Sequence, residues 1–188
     1  MSERIDDVLD RYLIAEFDEL NRLSSGTYTE EDIPLTDEVR NYLEDMYIEG
    51  FSSAFYLLGV DVGTIDKALM LAAIYALVDG KSFADRLDGK LSEWEIWRIA
   101  RSEGHRVFVT GQEDGARQAS EIYDMLTYKV WCSKLDSRVR NTHIELEGDT
   151  QPLDGWFVTP NGRAQKPGAF GVPEEDVNCR CVLNFISY

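Results

Sequence analysis

The chain has 188 residues, 44% hydrophobic and 11% aromatic, and a net charge of −16. This composition supplies a substantial core and argues against wholesale disorder. No apolar run approaches the roughly 20 residues of a membrane span, and the charge disfavours a general duplex-binding role, which needs a basic surface.

The charge is uneven. Residues 1–60 hold 15 acidic and 4 basic residues (−11), residues 61–125 hold 12 and 8 (−4), and residues 126–188 hold 8 and 7 (−1). Any part that approaches DNA is therefore the near-neutral C-terminal third. The acidic N-terminal part reads as a solvated face or a dock for a basic partner surface. The first residues, Met1 to Asp7, are acidic and lack the basic start and apolar stretch of a signal peptide, so folding in a cytoplasm is expected. The odd count of cysteines, Cys132, Cys179 and Cys181, argues against a disulfide framework.

In chain order, Ile5, Val8, Leu9, Tyr12, Leu13, Phe17, Leu20 and Leu23 give residues 3–23 one apolar helical face. A loop follows through Pro34. Thr36 is the expected N-cap of a helix running past Met46, Phe51 and Phe55 to Gly59. The apolar run Thr64 to Val78 suits a buried helix with Gly80 as its C-cap. A short helix is expected at Ser82–Leu87. A longer one runs from Ser92 to about Gly111, opened by a Ser92/Glu95 capping box. Gly111 and Gly115 read as interruptions, with another short helix over Ala116–Met125. Beyond Thr127 the texture changes. Tyr128–Cys132 reads as a strand, Trp156-Phe157-Val158 as a second after a turn at Asp149, and Asn161-Gly162 as a turn. Lys166 to Pro173 reads as irregular loop, and Cys181–Ile186 as a last strand. The fold class expected is α+β: a helical region over 1–125, with an acidic segment 1–60, then a small β-containing unit over 126–188.

Two groups of residues stand out as candidates for chemistry. Ile96, Ala100, Glu103 and Val107 lie at helical spacing, so Glu103 falls on an apolar stripe and needs a cation or several donors. It reads as an anchor to the C-terminal unit through Arg138 or Arg140, as a catalytic carboxylate, or, if the helix is rotated, as solvated. The other group is His143, Cys179 and Cys181, whose imidazole and thiolates suit zinc, with Cys132 or Asp136 as outside candidates for a fourth ligand. The alternative is a hydrogen-bonded histidine beside two packed, reduced thiols. A Cys179–Cys181 disulfide would be strained. Trp131, Trp156 and Phe157 read as core. Asp136 and Arg138 read as an ion pair or loop cap, and Arg180 as an exposed residue that meets an acidic partner. No phosphate loop, nucleophile elbow or paired-carboxylate pattern is present.

Trp131, Asp136, Arg138, Arg140 and His143, answered by Asn178-Cys179-Arg180-Cys181, closely resemble the C-terminal signature of the Mu F-like phage minor head proteins, also called phage head-morphogenesis proteins. Arg101-Ser102-Glu103 resembles that family's Arg-(Ser/Thr)-Glu helix motif, and Pro167-Gly168 the Pro-Gly preceding its Asn-Cys-Arg-Cys. Some relatives carry Cys-x-x-Cys where this chain has Arg140-x-x-His143, so His143 stands where they have a thiolate, while Arg140 is not a ligand. The resemblance covers about residues 70–188. It implies a virion or procapsid component near the portal vertex, made in the host cytoplasm. Its partners would be the portal protein and capsid or scaffold proteins, with weak contact to double-stranded DNA at most and none to membrane. Some members carry toxin or enzyme domains after the signature. Here the chain stops seven residues beyond Cys181, so none is expected. Two other classes remain open at this stage. One is an enzyme acting on nucleotide or nucleic acid through a Glu103/Arg138/Arg140/His143 cleft. The other is a zinc-stabilised DNA-contact module.

Overall fold

A computed structural model describes residues 37–78, 80–87 and 91–188. The helix expected over residues 3–23 and the Thr36 cap lie outside these residues. The architecture is α+β, as expected: helices first, then a small antiparallel sheet.

Helix α1 spans Asp37–Leu58. It buries Val39, Tyr42, Leu43, Met46, Tyr47, Phe51, Ala54 and Phe55, a stripe at helical spacing. Gly59 ends it in the left-handed region at φ +71°, where a residue without Cβ is unstrained. Helix α2 is shorter than the apolar run that contains it, spanning Lys67–Ile74. Asp66 sets its start by accepting from the Ala68 and Leu69 N–H groups. Only Met70, Ala73 and Ile74 of this helix are buried, whereas Leu69 and Leu77 are exposed. Gly80 does not cap it. With φ +73°, Gly80 lies in the turn closed by the Val78–Lys81 bridge. Helix α3 spans Phe83–Leu87.

Helix α4 spans Glu93–Ile122, about 45 Å at 1.5 Å per residue. The capping box forms as expected: the Ser92 side chain accepts from the Glu95 N–H, and Glu95 accepts from the Ser92 N–H. The expected interruption at Gly111 and Gly115 does not occur. These glycines are where α4 touches α1. A Cβ on Gly111 would lie 2.3 Å from the Tyr47 carbonyl oxygen, and one on Gly115 2.5 Å from that of Phe51. Gly50 answers from α1, 2.0 Å from the Phe108 oxygen by the same measure. The helices run in the same direction, since Tyr42 donates to the Ala100 carbonyl and Ala54 meets Gly115.

Strand β1 (Thr127–Cys132) is the centre of a three-stranded antiparallel sheet, between β2 (Thr150–Pro152) and β5 (Val182–Ser187). Trp131 faces Leu183 and Tyr128 faces Ile186 across the β1–β5 ladder. The one-turn helix α5 (Asn141–Glu145) lies between β1 and β2. Strands β3 (Phe157–Thr159) and β4 (Gly162–Ala164) form a separate hairpin, and α6 (Pro173–Asp176) precedes β5. One continuous hydrophobic cluster contains residues of both the helices and the sheet, from Val39 to Phe185.

Polar side chains lock the sheet to α4. The buried Gln112 amide donates to the Leu183 carbonyl and accepts the Leu183 N–H, both at 3.1 Å. Glu113 is buried among Lys166 at 2.9 Å, Arg117 at 3.3 Å and Lys129 at 3.5 Å. Burial works to raise its carboxyl, but Lys166, Lys129 and Arg117 outweigh that and hold it below the usual range.

Candidate functional site

Alternation along β1 turns Trp131 inward. Its ring, fully buried, meets His143, Phe157 and Phe170 edge-on. His143 projects from α5 into this aromatic box. Its Nδ1 lies 3.4 Å from Cys181 Sγ and 3.7 Å from Cys179 Sγ, and the three ligand atoms fall within 4.8 Å of one another. A tetrahedral zinc with Zn–S about 2.3 Å and Zn–N about 2.0 Å would separate nitrogen from sulfur by about 3.6 Å. The spacing of these three therefore matches that of zinc ligands, one short of the four of a structural site. Neither proposed fourth ligand joins them. Cys132 lies on the opposite face of β1 from Trp131, and Asp136 is engaged elsewhere.

Behind the ring, Nε2 lies 2.9 Å from Glu175 Oε2. A carboxylate there orients an imidazole ligand and raises its basicity. Glu175 is fully buried and also accepts from Thr142 Oγ1 at 2.9 Å and Asn161 Nδ2 at 2.8 Å. Burial alone would raise its carboxyl, but hydrogen bonds from Asn161, Thr142 and Thr159, with His143, hold it below its usual range. The hydrogen bond from Cys181, followed by those with His143, pulls the Cys179 thiol well down, while Cys181 is pushed up as its donor.

Around this centre lies a charged shell. Arg180 is not the exposed residue expected between the two cysteines. Its guanidinium grips Asp136 with two hydrogen bonds of 2.6 Å, which hold that carboxyl well below the usual range. Asp136 also accepts from the Arg138 N–H at 3.0 Å, but the Arg138 guanidinium is 3.7 Å away and its side chain is 72% exposed. Arg140 donates to the Val177 carbonyl. Asn178 stands at φ +57°, a left-handed turn that asparagine tolerates better than most residues. Its N–H points at Ser102 Oγ, 3.5 Å away.

Glu103 is buried, as the stripe required, but its partners are neither Arg138 nor Arg140. They are Arg106, one turn along α4, and Arg86 from α3. Helix α4 presents Glu103 toward α3, away from the signature loop. Arg101 and Ser102 instead face that loop across a cleft of about 480 Å³, with His105, Arg138, Arg140 and Arg180 also lining it. The cleft unites two of the four residues proposed for catalysis and leaves out Glu103 and His143.

Residues 73–184 match the family described as Phage Mu protein F like protein, well over half of the chain. The chain belongs to the Phage Mu protein F like family. Minor head protein GP7 of Bacillus phage SPP1 is 39% identical over 88 residues, 46% of this chain and 28% of that protein. The protein named NAD(+)--arginine ADP-ribosyltransferase EFV, from Enterococcus faecalis (strain ATCC 700802 / V583), is 34% identical over 113 residues, 57% of this chain and 23% of its own length. The similarity thus spans about a quarter of each curated relative. No solved structure matches. Among the described residues no helix is long and apolar enough to cross a membrane.

Within this Mu F-like chain, sequence reasoning missed Glu175, His105 and Gln112. Glu175 is one of three consecutive acidic residues, and nothing local marks the middle one as buried. His105 donates from Nε2 to the Cys181 carbonyl at 2.7 Å. Its position two residues after Glu103 on the same helix was the available signal. Trp156, expected in the core, is 43% exposed and stacks under the Arg163 guanidinium at 4.7 Å.

Proposed function

We propose that this chain is a minor component of a phage or prophage head, acting in head morphogenesis near the portal vertex, and that zinc held by His143, Cys179 and Cys181 braces its C-terminal unit. The reading rests on family membership, on the likeness to a protein named minor head protein, and on one observation about the site. The signature side chains bind each other: Trp131 and His143 are buried, Asp136 holds Arg180, and Glu103 holds Arg86 and Arg106. Such an arrangement supports a scaffold. Bound zinc would hold the two thiols as thiolates and tie α5 to the segment before β5. The partners proposed are the portal protein and capsid or scaffold proteins, inside the virion or at its portal vertex, and no nucleotide is turned over.

Two experiments test this. Phage lacking the gene should form heads defective in assembly, DNA content or infectivity; if all three are normal, the head reading fails. Protein purified without chelator should carry about one equivalent of zinc. Its removal should broaden the near-ultraviolet signal of Trp131 while leaving most helical signal intact. Less than about a tenth of an equivalent in folded protein rejects the metal.

A further inference from the structure

Helix α2 presents an apolar face that is left open among the described residues. From Ala68 to Val78 the sequence holds no charged residue. One side of this run is used: Met70, Ala73 and Ile74 are buried where α2 packs on α1 and α4. On the other side Ala68, Leu69, Ala72 and Tyr75 share one helical face by their spacing. All four are exposed, Leu69 at 51% and Tyr75 at 42%. Leu77, just past the helix, is 63% exposed. In a chain of net charge −16, an uncharged apolar face of this kind marks a contact site. Exposed Lys67 and Lys81 bound it. The carboxylates beside them are spent locally, Asp66 on the N–H groups that start α2 and Asp85 on Ser82.

The sequence holds a counterpart. Residues 3–23 lie outside the described residues, and their order places apolar side chains from Ile5 to Leu23 at helical spacing along one face. The same segment carries seven acidic and three basic residues, an excess of the sign opposite to Lys67 and Lys81. It is also within reach. Tyr42, in the second turn of α1, donates to the Ala100 carbonyl, and Arg106 donates to the Ala73 carbonyl of α2. These two points of α4 are about 9 Å apart at 1.5 Å per residue. Residues 24–36 span up to about 45 Å when extended. We infer that residues 3–23 of this chain seat their apolar stripe on the exposed face of α2, with their carboxylates toward Lys67 and Lys81. Seated there, the segment makes α2 the buried helix that its composition calls for. The inference stands independently of the head-assembly reading.

Amide hydrogen exchange on the full chain tests it. Leu9→Ser combined with Leu13→Ser weakens the stripe at positions one turn apart. The Met70–Tyr75 amides should then exchange about tenfold faster or more, with the near-ultraviolet signal of Trp131 unchanged. Reciprocally, Leu69→Ser should speed exchange of the amides of residues 5–20 by about tenfold, and because that side chain is exposed the core should stay intact. Leu126→Ser makes the same change at a leucine 62% exposed just before β1, and should alter exchange of residues 3–23 by less than about twofold. Sedimentation at several concentrations identifies the source of the segment. Protection that does not change with concentration in a monomer supports the chain's own residues. Protection that rises with formation of a dimer assigns the face to a second copy and overturns the inference. Exchange of α2 within about twofold of the parent in the Leu9→Ser, Leu13→Ser chain overturns it as well. So does an equal response to Leu69→Ser and Leu126→Ser.

Discussion

Along α1 and α4 the two backbones meet at Gly50, Gly111 and Gly115, and Tyr42, Met46, Phe51 and Phe55 fill the seam between buried residues of both helices. In the C-terminal unit, strands of three to six residues are joined through Asp136–Arg180, Glu175 and the His143–cysteine group. A long helix satisfies its own backbone and needs only a close-fitting neighbour. Short strands have little stability of their own, and here charged and sulfur side chains fix their loops. The helical pair should therefore respond to changes of size, and the C-terminal unit to changes of charge, pH and metal.

The largest effect expected comes from the charged knot around Glu103 in the helical region. Glu103→Ala leaves Arg86 and Arg106 partly buried without their anion, and loss of one member of such a group costs about 3 to 5 kcal/mol. An unchanged urea midpoint would mean that Glu103 is solvated, and the helical pair would then rest on apolar fit alone. Gly50→Ala comes next. Its Cβ would meet a backbone carbonyl on α4, so the helices must part, at a cost of about 3 kcal/mol, the upper end for overpacking. The same substitution at Gly148, where nothing lies within 4 Å of the added Cβ, should cost less despite its φ of +76°. Equal losses at the two sites would dissolve the claim of a glycine seam.

The smallest effect is the most discriminating between the regions. The folded-state pKa of Glu175 is depressed. Its contribution is thus complete above the ordinary glutamate value of 4.5 and is lost as pH falls through the folded value. Asp136 acts in the same sense. On the helical side burial raises Asp45 and Asp114, which works against the depressed Glu113, Asp85 and Glu95 there; Asp176, also raised by burial, partly offsets Glu175 in the C-terminal unit. Acidification from pH 6 toward pH 3.5 should loosen the near-ultraviolet signal of Trp131 before the far-ultraviolet helical signal. A single coincident transition would show that the two regions respond as one.

Local chemistry made much of this legible. The Ser92/Glu95 box, the β1 and β5 segments and the burial of Glu103 follow from caps and periodicity, which a sequence displays directly. What it hid were contacts between distant segments. Gly111 and Gly115 look like helix breakers when read by propensity, because the backbone of α1 that demands them is some 60 residues away. Glu103 was legible as needing a cation, but three plausible arginine sources lay within reach of the chain, and topology chose Arg86 and Arg106. His143, Cys179 and Cys181 were legible as a set because few residue types share their affinity for metal. Glu175, a carboxylate among carboxylates, carried no such mark.

Gln112 has a consequence for neighbours. Strand β5 is an outer strand, and the Gln112 amide occupies both hydrogen-bonding groups of Leu183, standing in for one residue of a missing strand. The opposite outer strand, β2, ends in Pro152, which has no N–H to lend. With its rims blunted in this way, the sheet resists growth by strand addition. Copies or partners crowded against one another must then grip through side chains, and the sheets of neighbouring copies do not zip together into a fibre.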